Sequence, residues 1–344
     1  MSRWFGRTLA ASVAVVALLA GCASSTTGGP PAATGSAPSA SPTAVRTTFR
    51  IASLKGPTTM GLVGLMDDAA NGRARHDYQV TVYGSPDEVT PKVLHGDVDV
   101  AMVPSNLAAV LDAKAPGTVQ VAAINTLGVL QVVEVGQTIH ALADLRGRTV
   151  YSSGKGASPQ FVLEHLLVAN GLDPATDLNV VYLSEPTEVA ARLAAEPTAV
   201  VVLPQPFVTV VTTQVAGARA ALDLTDEWAK VSPDSQLVMG VVVVRRAFAA
   251  EHPEAFAEFL ADYAASTRFT NEHPDEAGAL IAAAGVVPAA PIATKAIPGS
   301  HVTYIDGSAM QAALSGYLRV LYAADPASVG GALPGDDFYY RADD

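Results

Sequence analysis

Phe49-Arg50-Ile51-Ala52-Ser53-Leu54-Lys55-Gly56-Pro57-Thr58 is a short apolar run that ends in a glycine–proline turn and a helix start. The same grammar returns one hundred residues later, at Val150-Tyr151-Ser152-Ser153-Gly154-Lys155-Gly156-Ala157-Ser158. A strand that breaks into a tight turn and then a helix is the opening of a βαβ unit. Sliding residues 50–107 onto 150–207 without gaps gives 11 identities in 58 positions, among them Ser53/Ser153, Lys55/Lys155, Gly56/Gly156, Pro86/Pro186 and Pro104/Pro204. The matches fall at equivalent points of the strand–loop–helix pattern, which predicts two similar α/β lobes.

Outward from these two stretches the pattern continues. Tyr78 to Tyr83 and Val98 to Val103 read as strands, with a helix from Pro86 to Gly96 between them. Val119 to Ile124 and Val129 to Glu134 follow, and the grammar restarts at Arg148. Ala199 to Leu203, Ala218 to Leu224 and Gln236 to Val244 are further strands. Gly240 lies in the middle of the last, where glycine marks a close backbone approach. From Phe248 onward the chain is mainly helical. Phe256, Phe259, Leu260 and Tyr263 recur at helical spacing and read as core. Gly285 reads as a helix stop, Gly307 to Ala324 as a helix, and Phe338-Tyr339-Tyr340 as a tail docked on the body.

The N-terminus carries Arg3 and Arg7, then an apolar run of 12 residues from Leu9 to Ala20 broken only by Ser12. That run suits a signal-peptide core and is too short to span a bilayer. It ends in Leu19-Ala20-Gly21-Cys22, which resembles the bacterial lipobox. The resemblance implies that residues 1–21 are a signal peptide and that Cys22, the single cysteine of the chain, is diacylated. Two acyl chains give stable anchoring where one is marginal. Residues 22–46 are almost wholly Ala, Ser, Thr, Gly and Pro and read as a flexible tether to the outer face of a membrane.

The remaining body of about 300 residues is acidic. The chain carries a net charge of −12, and removal of Arg3 and Arg7 leaves 19 basic against 33 acidic residues. Such a balance argues against nucleic acid or an anionic lipid surface as a partner. No second cysteine exists for a disulfide. Gly154-Lys155-Gly156 after a strand invites a nucleotide reading, but Pro159 and Gly156 occupy positions where the two phosphate-binding patterns need Gly and Ser or Thr. The seven histidines are scattered without metal-ligand spacing, and no cofactor is expected.

In open α/β sheets, ligands bind beyond the carboxyl ends of the strands, at helix N-termini. Four loops qualify. Lys55, Gly56, Thr58, Thr59 and Met60 follow the first strand, and Ser153, Gly156, Ala157 and Ser158 follow its repeat. Pro104, Ser105 and Asn106 follow Val98–Val103, and Gln205, Pro206 and Phe207 follow Ala199–Leu203. Thr58, Ser105 and Ser158 suit helix N-caps as well as ligand contacts. Phe207, Tyr151 and Met60 are candidates to cover an apolar part of a ligand, and Lys55 or Lys155 to pair with an anionic head. Asn125, Thr126 and Gly240 complete the candidate set.

Ile51-Ala52-Ser53-Leu54-Lys55-Gly56-Pro57-Thr58, Gly96-Asp97-Val98-Asp99-Val100-Ala101 and Asp144-Leu145-Arg146-Gly147-Arg148-Thr149-Val150 resemble the nitrate/sulfonate/taurine-type solute-binding proteins of ABC importers. Leu203-Pro204-Gln205-Pro206-Phe207, Gln236-Leu237-Val238-Met239-Gly240 and Asp336-Asp337-Phe338-Tyr339-Tyr340 add to the likeness, which spans about 48–340. Proteins that bind pyrimidine precursors of thiamine share the superfamily. The resemblance implies a two-lobe periplasmic-binding-protein fold of the second type, each lobe a mostly parallel sheet flanked by helices with the ligand cleft between lobes. Residues 47–127 and 237–344 then form lobe 1 and 128–236 form lobe 2, with crossovers near Asn125–Gly128 and Leu224–Gly240. It also implies a monomer that closes on a small polar or anionic solute and delivers it to a membrane permease. The rivals are an enzyme of the same fold, for which the cysteine-rich motif of the pyrimidine synthase relatives is absent, and a sensor for a membrane receptor. Trp228 is the only tryptophan of the body, so a stacked heterocycle would rest on Phe or Tyr.

Replacing Cys22 with Ser should release the protein from the membrane fraction. A Cys22→Ser variant that still sediments with lipid contradicts the anchor.

Overall fold

β1 (Thr48–Leu54), β2 (Asp77–Tyr83) and β3 (Val100–Pro104) run parallel, with β1 between the other two. The helix Pro86–His95 carries the chain from β2 to β3. Its start is fixed by Pro86 at the first position and by a capping box between Ser85 and Glu88. β4 (Val119–Leu127) ends this half, and β5 (Leu130–Val135) begins the next after two residues. β6 (Thr149–Ser153), β7 (Asn179–Leu183) and β8 (Val200–Pro204) repeat the parallel trio around the helix Pro186–Ala195. β9 (Ala218–Asp223), β10 (Val238–Arg245) and β11 (Val302–Ile305) complete the strands. This computed structural model describes residues 46–341, so the signal-peptide, lipobox and tether readings at 1–45 lie outside the described residues.

The strands form two mixed sheets, in the orders β11-β4-β10-β3-β1-β2 and β7-β6-β8-β5-β9. Each sheet is completed by a strand that comes from the other side of a crossover. β10 lies antiparallel between β3 and β4, with Gly240 opposite Pro104. β5 lies antiparallel between β8 and β9, with Leu130 opposite Pro204. The chain therefore passes between the sheets at 127–130 and at 223–238.

The register refines the internal repeat. Ile51 faces Val80 and Val100, while Val150 faces Val180 and Val200. Strand β1 thus superposes on β6 at an offset of one residue fewer than the rest. The ungapped comparison holds for β2, the crossover helix and β3, and it slips by one in β1. Ser53 is the counterpart of Ser152, not of Ser153.

Other differences have local causes. β11 interrupts the mainly helical chain after Phe248, and four residues with only two ladder partners on β4 leave little sequence pattern. The segment after β9 is not bare crossover: Asp223 accepts from the Thr225 N–H and starts a helix, Leu224–Val231.

A single cluster of buried side chains runs through both halves, from Leu54 and Val103 to Val129, Leu163 and Trp228. The helix Gly307–Ala324 adds Met310, Leu314, Tyr317, Leu318 and Leu321, and Tyr317 lies 5.5 Å from Trp228. Trp228 Nε1–H donates to the Ser235 carbonyl at 2.9 Å, so this indole is structural. Phe256, Phe259 and Tyr263 are fully buried core. Phe338 is buried, and Tyr340 N–H donates to Val121 O at 2.9 Å, which docks the tail on β4.

Asp99, at the end of the loop before β3, is the charged centre of the first sheet. Its oxygens accept from Arg50 Nε (2.9 Å) and Nη2 (2.6 Å) and from Arg245 Nη2 (2.7 Å), joining β1 to β10 across β3. Burial alone would raise the carboxyl pKa, but the bonds from Arg50 and Arg245 outweigh it and hold it below its ordinary value. A depressed carboxyl contributes stability above its unfolded pKa of about 3.9, and that stability is lost as pH falls through the folded value. Breaking a buried pair costs about 3–5 kcal/mol, less where solvent screens a partner, and Arg50 is 44% exposed. Asp99→Asn should cost about 2 kcal/mol in urea unfolding at pH 7, and the gap to wild type should narrow toward pH 3. An unchanged midpoint at pH 7 contradicts the pairing.

Candidate functional site

Because β1, β3, β6 and β8 all end on the side where the sheets face each other, their following turns converge. They enclose a cavity of about 100 Å³. Pro104 and Pro204 close its walls at the ends of β3 and β8, and Val129 and Met239 precede the residues opposite those prolines. Pro86 and Pro186 enter from the two crossover helices, behind Gly84 and Ser184. The lining is built from counterparts in the two halves, so the cavity sits on the axis of the internal repeat.

Its chemistry is sparse. The lining is mainly apolar, with the hydroxyls of Thr58, Thr126, Ser153 and Ser184 as polar points. Lys55 is its one charged residue, and it holds no Asp, Glu, His or Arg. In a chain of net charge −12, a lining whose one charge is an ammonium favours an anion or a polar acceptor, with the Glu185 carboxylate standing outside it against Gly84.

The structure brings Lys55, Gly56, Thr58, Pro104, Thr126, Ser153 and Ala157 to this cavity. It places the other candidates elsewhere. Thr59 Oγ1 donates to Leu54 O at 2.6 Å and meets Ser53 Oγ at 2.8 Å, bracing the turn after β1. Met60 is fully buried in an apolar cluster with Val210, Ile297 and Val302. Ser105 Oγ donates to Val238 O at 2.6 Å, which ties the end of β3 to β10. Thr58, Ser105 and Ser158 do not act as N-caps: the cap positions are Gly56, Pro104 and Ala157.

Asn106 and Ser158 instead join the two halves. Ser158 Oγ donates to Asn106 Oδ1 at 3.1 Å, and Asn106 Nδ2 donates to Gly156 O at 3.2 Å and Ser328 O at 2.9 Å. Gly156 is therefore a latch point, and Lys155 is exposed outside the lining. Gln205 Oε1 accepts from the Thr209 N–H and hydroxyl at the start of the helix Phe207–Gln214, and the Gln205–Pro206 peptide is cis. Phe207 is buried and faces a groove outside the cavity. Arg192 Cζ lies over the Tyr151 ring, 5.0 Å from its centroid, and Tyr151 is not in the lining.

Gly240 and Asn125 support the wall. A Cβ at Gly240 would stand 2.5 Å from Asn125 Oδ1 and 2.9 Å from Thr58 Cγ2, so only glycine lets Thr58 reach the cavity there. Asn125 Oδ1 accepts from Thr126 Oγ1, and Asn125 Nδ2 is buried without a partner among the described residues. The strand-end loops alone leave out Gly84, Pro86, Ser184 and Pro186. The signal for two of them was present, since Pro86 and Pro186 are identical positions of the repeat.

A family profile described as "Menaquinone biosynthesis" matches residues 57–298, and the chain belongs to that family. No curated protein matches it. Among solved structures, an ABC transporter protein from Parabacteroides distasonis is 22% identical with a TM-score of 0.69, covering 86% of this chain and 99% of that one. The periplasmic aliphatic sulphonate-binding protein of Escherichia coli is 17% identical at TM-score 0.66, covering 86% and 96%. The periplasmic nitrate-binding protein of Synechocystis is 12% identical at 0.61, covering 83% and 84%. These likenesses establish the fold as that of the periplasmic binding proteins of ABC transporters. No helix among the described residues is long and apolar enough to cross a membrane.

Proposed function

We propose that this chain is an extracytoplasmic solute-binding lipoprotein of an ABC importer, which captures a small polar or anionic organic solute between its two sheets and delivers it to a permease. The observation that carries this is the cavity lined by counterparts of both halves with Lys55 as its one charge. A solute held there touches both halves at once, so binding energy favours the closed arrangement, and closure is what a permease can recognise. The Cys22 lipobox and the likeness to periplasmic sulphonate- and nitrate-binding proteins support the same conclusion.

The family description favours a second reading, a biosynthetic enzyme. Acid–base or nucleophilic catalysis needs at least one positioned partner for a reacting group. Lys55 is the one charged residue of the cavity lining, beside hydroxyls and apolar side chains. Binding without turnover fits that lining better, and we take the chain not to be an enzyme.

A thermal-shift screen of the purified protein against sulfonates, nitrate, bicarbonate, pyrimidines and small carboxylates tests this. A ligand at 100 times its Kd adds about 2.7 kcal/mol, and at roughly 2 °C or more per kcal/mol the midpoint should rise by about 5 °C. Lys55→Gln should weaken an anionic ligand about tenfold, since a charge-assisted bond contributes about 1.5–3 kcal/mol. No shift from any solute, or turnover of one of them, overturns the proposal.

A further inference from the structure

Lys55 lines a second hollow as well as the inner cavity. That groove is larger, about 540 Å³, and lies beside the mouth of the first. One wall is a face of the helix Pro186–Ala195, where Thr187, Ala190, Ala191 and Ala194 recur at helical spacing. Another is the matching face of the helix Phe207–Gln214, with Phe207, Val210 and Val211. The third is Val286, Val287 and Pro288, which belong to the chain that follows the second crossover. The alanines leave a trough where larger side chains would fill it. Lys55 is again the one charged residue of the lining, which contains no Asp, Glu or Arg. Phe207 reaches to 3.8 Å from where a Gly56 side chain would stand, next to Lys55.

The two spaces differ in what they fit. The inner cavity falls well below the range of about 300–1,000 Å³ that holds drug-sized ligands and has room only for a small solute or head group, and the groove falls within that range. Lys55 borders both. We propose, given solute capture in the inner cavity, that the groove is the subsite for an apolar extension of the same molecule. The ligand is then an amphiphilic organic anion. Its head pairs with Lys55 and enters the inner cavity, and its aliphatic or aromatic part lies along Ala190, Ala191 and Ala194 against Phe207 and Val287.

Calorimetric titration of the full-length protein with n-alkyl carboxylates, from acetate to decanoate below their micelle concentrations, separates the possibilities. Once the chain passes Lys55, affinity should rise about three- to fourfold per added methylene, the gain expected for burying one. Ala191→Glu and Ala194→Glu place a charge in the trough at exposed positions of a helix that tolerates glutamate, and each should bring the gain per methylene close to one. A flat series in the wild type, with short carboxylates still bound, overturns the groove and leaves solute capture standing. A gain that persists in both variants places the tail elsewhere and also overturns it. If no carboxylate or sulfonate binds but nitrate, bicarbonate or a pyrimidine does, the amphiphilic anion is wrong and the cavity function survives. Failure of every solute removes both.

Discussion

Each sheet of this protein borrows one strand across a crossover, and the cavity exists because of that exchange. β10 fills the slot between β3 and β4, and β5 fills the slot between β8 and β9. An antiparallel strand inserted beside a parallel trio places its first residues next to the last residues of its neighbours. That is why Val129 and Met239 stand beside Pro204 and Pro104, and why both pairs face one space. Only the links at 127–130 and 223–238 join the sheets through the exchange, so the two sets of strand ends are held opposite each other by few covalent constraints. Noncovalent ones do the rest. The latch of Asn106 with Ser158 and Gly156, and the helix Gly307–Ala324 packed on Trp228, hold the halves together on one side of the cavity.

Within that frame the chemistry is set by what the repeat leaves unfilled. Prolines at the ends of β3 and β8 and at the starts of both crossover helices remove backbone donors from the wall, and most lining side chains are apolar. A guest that supplies an acceptor would pair with the Lys55 ammonium there. The acidic surface gives no long-range attraction to an anion. On the proposed function, selectivity for an anion would come from close contact at Lys55, not from steering.

Most of the fold was legible because its elements repeat. The alternation of β-branched runs with helical faces, and the identities Pro86/Pro186 and Pro104/Pro204, gave the two halves and their shared edge. The one-residue slip in β1 was invisible, since Ser53/Ser153 and Lys55/Lys155 are identities in the wrong register. At the site, loop position picked out Lys55, Thr58, Pro104, Ser153 and Ala157 among the lining residues. It does not reveal that Ser105, Asn106 and Ser158 bond within the fold, because a buried hydroxyl or amide takes whichever partner the tertiary fold brings. Val238 and Ser328, their partners, lie far away in the sequence. Met60 shows the same limit for apolar side chains: a residue after a strand can face the ligand or the neighbouring core, and only packing decides.

A crystal structure of the protein with the solute selected by thermal shift tests the central claim most directly. The account predicts ordered ligand density between Pro104 and Pro204, in contact with Lys55 and with residues of both halves. Density confined to one half, or on the outer surface away from Lys55, contradicts it.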